Sequence, residues 1–382
     1  MSAPWPWLSF VAIAIGCSSP VPPRADPAVL PSQIGFVTVE ATYDGSPSFL
    51  EAIDPATHAL TQNSGVAFDD DPHLRRLVDP RDGRRRLFLV GSSNGLLTEI
   101  SSSGAILSQH PLTDDAKPVD PLDVAIAPDG ALWVTRYFSR SLVVLEPDGA
   151  RRTTIDLSSH APEDGPVTRA PGMSAIAIVG DEVFVALRRL DGASARPTNP
   201  SQVVILDAAT GAERATVELP LSDPSDHFVV EPSDAGARLW ISCIGAPFTR
   251  DDVPYGLVAI DAATHEATRV LDLRKQGVFV SDFAIGGPHD GYATIARYLD
   301  RDNPSMVARF DPETGAFDAP WMSMPTYALR GLSLDGSVLL VADWDAHGPG
   351  IEVFDVRQGQ HLGRIATRLP AIEVVALGTP PF

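Results

Sequence analysis

The dipeptide Arg-Tyr occurs at Arg136-Tyr137, in ALWVTRYF, and again at Arg297-Tyr298, in YATIARYL, each time directly after an apolar run. A third arginine, Arg188, follows EVFVAL in the same way. A guanidinium offers a fixed fork of donors to a carboxylate or phosphate, and each charge-assisted bond contributes about 1.5 to 3 kcal/mol. The neighbouring phenols can hydrogen-bond and stack. Gathered at one mouth, these groups would receive an anionic or polar small molecule. They could equally be matched by the protein's own carboxylates, with Asp343, Glu40, Asp191 and Asp300 available, and the sequence leaves both arrangements open.

Other reactive residue types carry less. His347, in WDAHGPG, and His160, in SSHAPEDG, lie in turn-rich stretches where an imidazole could serve as a base or ligand contact. Neither has a nucleophile nearby in sequence, so solvated loop histidine is the plainer role. Cys243 closes RLWISC without an adjacent His or a G-x-S-x-G elbow, which fits a small buried hydrophobe. The acidic runs at 69–71 and 300–303 lack the glycine and terminal Glu of an EF-hand loop. No catalytic set emerges, and turnover stays open.

These residues need a scaffold to bring them together. Of 382 residues, 44% are hydrophobic and 20% charged, ordinary for a globular chain, and 35 Pro and 30 Gly punctuate short apolar runs. The formal charge of −20 repels a phosphate backbone, which excludes nucleic acid as the expected partner.

Two landmarks recur. The first is a turn before an apolar strand, at Asp82-Gly83, Asp129-Gly130, Gly180-Asp181, Asp234-Ala235-Gly236, Asp290-Gly291 and Asp335-Gly336. The second is an apolar residue followed by an acid or Ser and a turn, at Ile53, Ile100, Leu145, Leu206, Ile260, Phe310 and Phe354, spaced 44 to 61 residues apart. Six of one and seven of the other fit units of four strands whose first unit lacks its first strand. The lone C-terminal strand AIEVVAL, 371–377, supplies it.

An all-β, seven-bladed β-propeller with four-stranded antiparallel blades follows, its ring closed by the C-terminal strand pairing with the N-terminal blade. An open arc would expose two apolar faces and their edges. Dividing residues 34–382 by seven gives about 50 residues per blade. On this frame the ends of the second strands, Glu40, Gly91, Arg136, Leu187 or Arg188, Cys243, Arg297 and Asp343, meet at one mouth. The ligand-binding candidates are therefore Arg136, Tyr137, Arg188, Arg297, Tyr298, Asp343 and His347.

PLDVAIAPDGALWVTRYFSRSLVVLEPDG, 121–149, resembles the blades of bacterial propellers of the NHL, YVTN and virginiamycin-lyase-like group, which implies the seven-bladed fold and an exported location. Propellers related to gluconolactonase hold a divalent metal in the central channel with Glu, Asn and Asp side chains. That likeness implies Glu40, Asn94, Asn199 and Asp343 as metal candidates, a hard cation such as calcium as cofactor, and a lactonase-like hydrolase or a lyase as the enzymatic alternative.

Leu8 to Ile15 is an apolar run too short to span a bilayer, which needs about 20 residues, and suits a signal peptide. Ala14-Ile15-Gly16-Cys17 resembles the lipobox of bacterial lipoproteins, which implies a lipid on Cys17. The domains expected are a signal peptide at 1–16, a lipid-anchored Ser/Pro-rich tether at 17–33 and the propeller at 34–382. The expectation is a monomer at the bacterial outer membrane or in the periplasm, touching membrane only through its anchor. It would bind or scaffold there, holding an anionic or polar small molecule or an envelope protein at the arginine-lined mouth.

Overall fold

The computed structural model describes residues 30–31, 34–41, 48–63, 72–113, 119–162, 170–191, 196–197, 199–233, 236–245, 253–274, 278–296, 304–325, 328–345 and 348–378. Cys17, the expected signal peptide and the expected tether apart from residues 30–31 lie outside them, as do Arg297, Tyr298 and His347.

Seven four-stranded antiparallel sheets form the ring of a β-propeller. Blade 1 contains Ala371–Ala376, Phe36–Glu40, Phe49–Ile53 and Leu60–Asn63, so the last strand of the chain is its innermost. The innermost strands of blades 2 to 7 are Pro72–Val78, Pro121–Ile126, Met173–Val179, Val229–Ser233, Phe279–Gly287 and Leu329–Asp335. Within each of these blades the other three strands follow in chain order, outward from the axis.

Closure occurs where the sequence places it. Phe36 pairs with Ala376 and Val39 with Glu373, and Leu377 donates its backbone N–H to Gly35 at 2.8 Å. An apolar cluster then seals the seam: Phe36, Ile53, Val374 and Ala376 of blade 1 pack with Leu340, Ile351 and Val353 of blade 7. Gly331 permits this approach, since a Cβ there would come within 2.9 Å of the Glu373 backbone across the seam.

All seven apolar landmarks, from Ile53 to Phe354, are at most 2% exposed. Each sits just before a turn between third and fourth strands. In four blades Asp54, Asp207, Asp261 or Asp311 accepts two backbone N–H groups through Oδ1. A residue with positive φ follows, His58, Gly211, His265 or Gly315. That Asp-x-x-Thr turn explains why the landmark repeats.

One turn differs from expectation. In blade 6 Gly287 pairs with Asp290, so the chain reverses at Pro288-His289, and Asp290-Gly291 opens the second strand. Gly291 answers a packing need there, because a Cβ would strike the Phe310 ring at 2.4 Å.

Candidate functional site

The innermost strands are edge strands, paired on one side only, and they surround a central cavity of about 550 Å³. Their inward N–H groups have no ladder partner and need acceptors. Carboxylates supply them across blade boundaries. Asp123 Oδ2 accepts Ile176 N–H at 2.9 Å, Asp282 Oδ2 accepts Leu332 N–H at 2.7 Å, and Glu373 Oε2 accepts Leu74 N–H. Each acid thus clasps its own blade to the next.

Between these clasps lies a charged network drawn from five blades: His73 and Arg75 of blade 2, Asp123 of blade 3, Asp226 and His227 of blade 5, Asp282 of blade 6 and Glu373 of blade 1. Arg75 is its hub. Its Nε donates to Asp123 Oδ1 at 2.7 Å, its Nη2 to Asp226 Oδ2 at 2.9 Å, and its Nη1 lies 3.7 Å from Glu373 Oε2. His73 Nδ1 stands 2.6 Å from Asp226 Oδ2 and 3.5 Å from Glu373 Oε1. His227 bridges Asp226 Oδ1, at 3.4 Å, and Asp282 Oδ1, at 3.2 Å.

Burial sets the electrostatics. It would lower both imidazoles, but the facing carboxylates outweigh it: Asp226 and Glu373 lift His73 to about 10, and Asp282 and Asp226 lift His227 to about 10. For Asp123 burial outweighs Arg75 and the carboxyl titrates above its usual range. For Asp226 the charges of Arg75 and His73 outweigh burial and hold it well below. Four carboxylates face one hub guanidinium, while the Arg330 guanidinium lies 4.5 Å over the Trp344 ring. With both imidazoles protonated, Arg75, His73 and His227 nearly balance those four carboxylates.

The rim above it is where the second strands end. Pro121 pairs with Arg136, Phe279 with Ala296 and Ala371 with Glu40, so Asp123, Asp282 and Glu373 lie two or three residues below that rim. Glu40, Gly91, Arg136, Leu187, Cys243 and Asp343 end second strands as expected, while the second strand of blade 6 ends at Ala296, one residue before Arg297.

The sequence-derived candidates have local partners. Arg136 is fully buried and donates to the Leu112 and Ser141 carbonyls and to Ser141 Oγ. Arg188 donates to Pro224 O at 3.0 Å, pairs with Asp223 at 3.5 Å and lies 5.3 Å over the Tyr137 ring. Asp343 is fully buried and accepts from Arg364 at 2.7 Å. Glu40 accepts Leu369 N–H at 3.0 Å, Asn94 accepts Leu96 N–H in a turn, and Asn199 donates to Arg189 O. The structure does not draw these four metal candidates onto a common point through any of these bonds. His160 pairs with Glu213 at 3.0 Å, and Cys243 is buried with its thiol pushed well up by desolvation.

Sequence reading placed the innermost strands but missed the charged side chains they carry into the channel. Their signal was a charged residue inside an otherwise apolar first strand, as in PLDVAI, FVSDFAI and AIEVVA. Strand ends drew attention because loops carry function more often than strands do.

No protein-family model and no curated protein matches the chain. Among solved structures it is similar to a protein from Lactobacillus plantarum, with 15% identity, TM-score 0.58, and 90% of this chain and 99% of that one covered. It is also similar to Citrobacter koseri AztD, with 12% identity, TM-score 0.52, and coverage of 90% and 98%. Virginiamycin B lyase from Staphylococcus aureus aligns at 13% identity and TM-score 0.47, covering 75% and 89%. At these identities the likeness concerns the fold.

Proposed function

We propose that the protein is an exported, Cys17-anchored binding propeller of the cell envelope. Its ligand enters past the rim at Arg188 and Tyr137 and is held by the charged network of the inner strands. One observation carries this reading: seven ionisable groups from five blades, Asp123 buried and the other six half-buried, converge on a single cavity, although a propeller core needs only apolar contacts there. Isolated buried charges are costly, so a network of this size is expected to have a use beyond packing.

A thermal-shift screen of the protein against metal ions, anions, amines and sugars tests it. A ligand at 100 times its dissociation constant adds about 2.7 kcal/mol of stability. The expected hit stabilises the protein and loses most of its effect in Asp226→Asn and in Asp282→Asn, whose amide oxygen can still accept the Leu332 backbone N–H. Equal stabilisation of both variants would place the ligand elsewhere, and the reading would fail.

A further inference from the structure

We infer that the channel holds one divalent transition-metal cation of the zinc class between His73 Nδ1, Asp226 Oδ2 and Glu373 Oε1. This rests on the channel-binding reading and specifies its ligand.

Among the described residues, these three form the one group of His, Cys, Asp and Glu whose ligand atoms all lie within 4.8 Å of one another. They come from blades 2, 5 and 1, so the ring itself assembles the set. Tetrahedral zinc with bonds of about 2.0–2.1 Å sets its ligand atoms about 3.3 Å apart. His73 Nδ1 to Glu373 Oε1 is 3.5 Å, and His73 Nδ1 to Asp226 Oδ2 is 2.6 Å, so admitting an ion requires the second pair to open by less than 1 Å.

A second observation points the same way. Both ring nitrogens of His73 are shut from solvent and neither makes a hydrogen bond of normal geometry, despite the short Nδ1 contact with Asp226. At neutral pH a proton on Nδ1 sits between the two carboxylates, and a cation entering there takes that proton's place as it is released to solvent.

The outer partners are those a metal site requires. Leu74 N–H holds Glu373 Oε2, leaving Oε1 to face His73. His227, itself against Asp282, holds Asp226 Oδ1 and leaves Oδ2 inward. Arg75 ties Asp226 to Asp123 and limits the negative charge that a dication must meet. One imidazole with two carboxylates favours zinc-class ions over calcium, which prefers six to eight oxygens. Three protein ligands leave a fourth position facing the cavity.

The test is calorimetric titration of chelator-stripped full-length protein with zinc chloride in excess magnesium, alongside zinc-edge X-ray absorption. One zinc per chain is expected, with one imidazole nitrogen and carboxylate oxygens in its shell. His73→Ala and Glu373→Gln should each weaken it at least about 10-fold, and His289→Ala, on the exposed surface, should not. Unchanged affinity in both channel variants, or a shell without imidazole, overturns the assignment. Should His73→Ala fail to fold, the absorption spectrum of the unaltered protein still decides. Absence of zinc binding beside a non-metal hit sensitive to Asp226→Asn overturns the metal and keeps the channel reading; absence of both removes both.

Discussion

At the scale of single residues, Arg75 compensates more charge than any other channel side chain. Removing one partner of a buried ionic network strands the others, at a cost of about 3 to 5 kcal/mol. Arg75→Ala is therefore expected to lower the urea midpoint steeply, and adding Asp123→Asn should recover part of the loss; a silent Arg75→Ala would show the network to be solvated. The imidazoles add a pH dependence. His73 and His227 are raised from about 6.5 to about 10 in the folded state, so their contribution is complete below pH 6.5 and is lost as pH rises through 10. Denaturation midpoints should fall between those limits, and histidine resonances titrating near 6.5 would contradict the burial described. These residues were individually visible in the sequence but not as a set. Arg75 and Asp226 are 151 positions apart, and Leu74 meets Glu373 across 299.

At the scale of elements, legibility was high wherever a residue type answers a backbone need. The turns between third and fourth strands require an acceptor for two N–H groups and then a left-handed residue, and DAATG or DAATH announces both. In Asp261 the hydrogen bond from Thr264 leads the causes that lower the carboxyl below its usual range. Asp261→Ala should cost about 1 to 2 kcal/mol, measured by chemical denaturation, with Asp261→Asn losing less because its amide oxygen still accepts. Equal losses would assign the effect to charge alone. The turn of blade 6 was less legible, because Asp290-Gly291 carries a turn signature yet Gly291 serves the Phe310 ring inside a strand. The inner-strand carboxylates escaped notice for a related reason: an acid in a strand normally marks a solvated face, and only closure into a ring turns that edge inward to a shared channel.

At the scale of the whole molecule, the ring was legible from the mismatch of six turns against seven apolar landmarks, with the closing strand at the far end of the chain. That strand contributes Val374 and Ala376 to the seam and Glu373 to the channel. Deleting residues 371–382 should therefore abolish cooperative unfolding and ligand-induced stabilisation together; a truncated chain that still unfolds in one sharp transition would contradict closure as the source of stability. The overall charge of −20 draws cations toward the protein, while inside the channel Arg75 and the two imidazoles nearly balance the four acids.

The most direct measurement is diffraction from crystals grown with whichever ligand stabilises the protein. The channel account predicts new density between the inner strands, within bonding distance of Asp226 and His73. Density confined to the outer strands or to the surface loops, with the inner network unchanged, would contradict it.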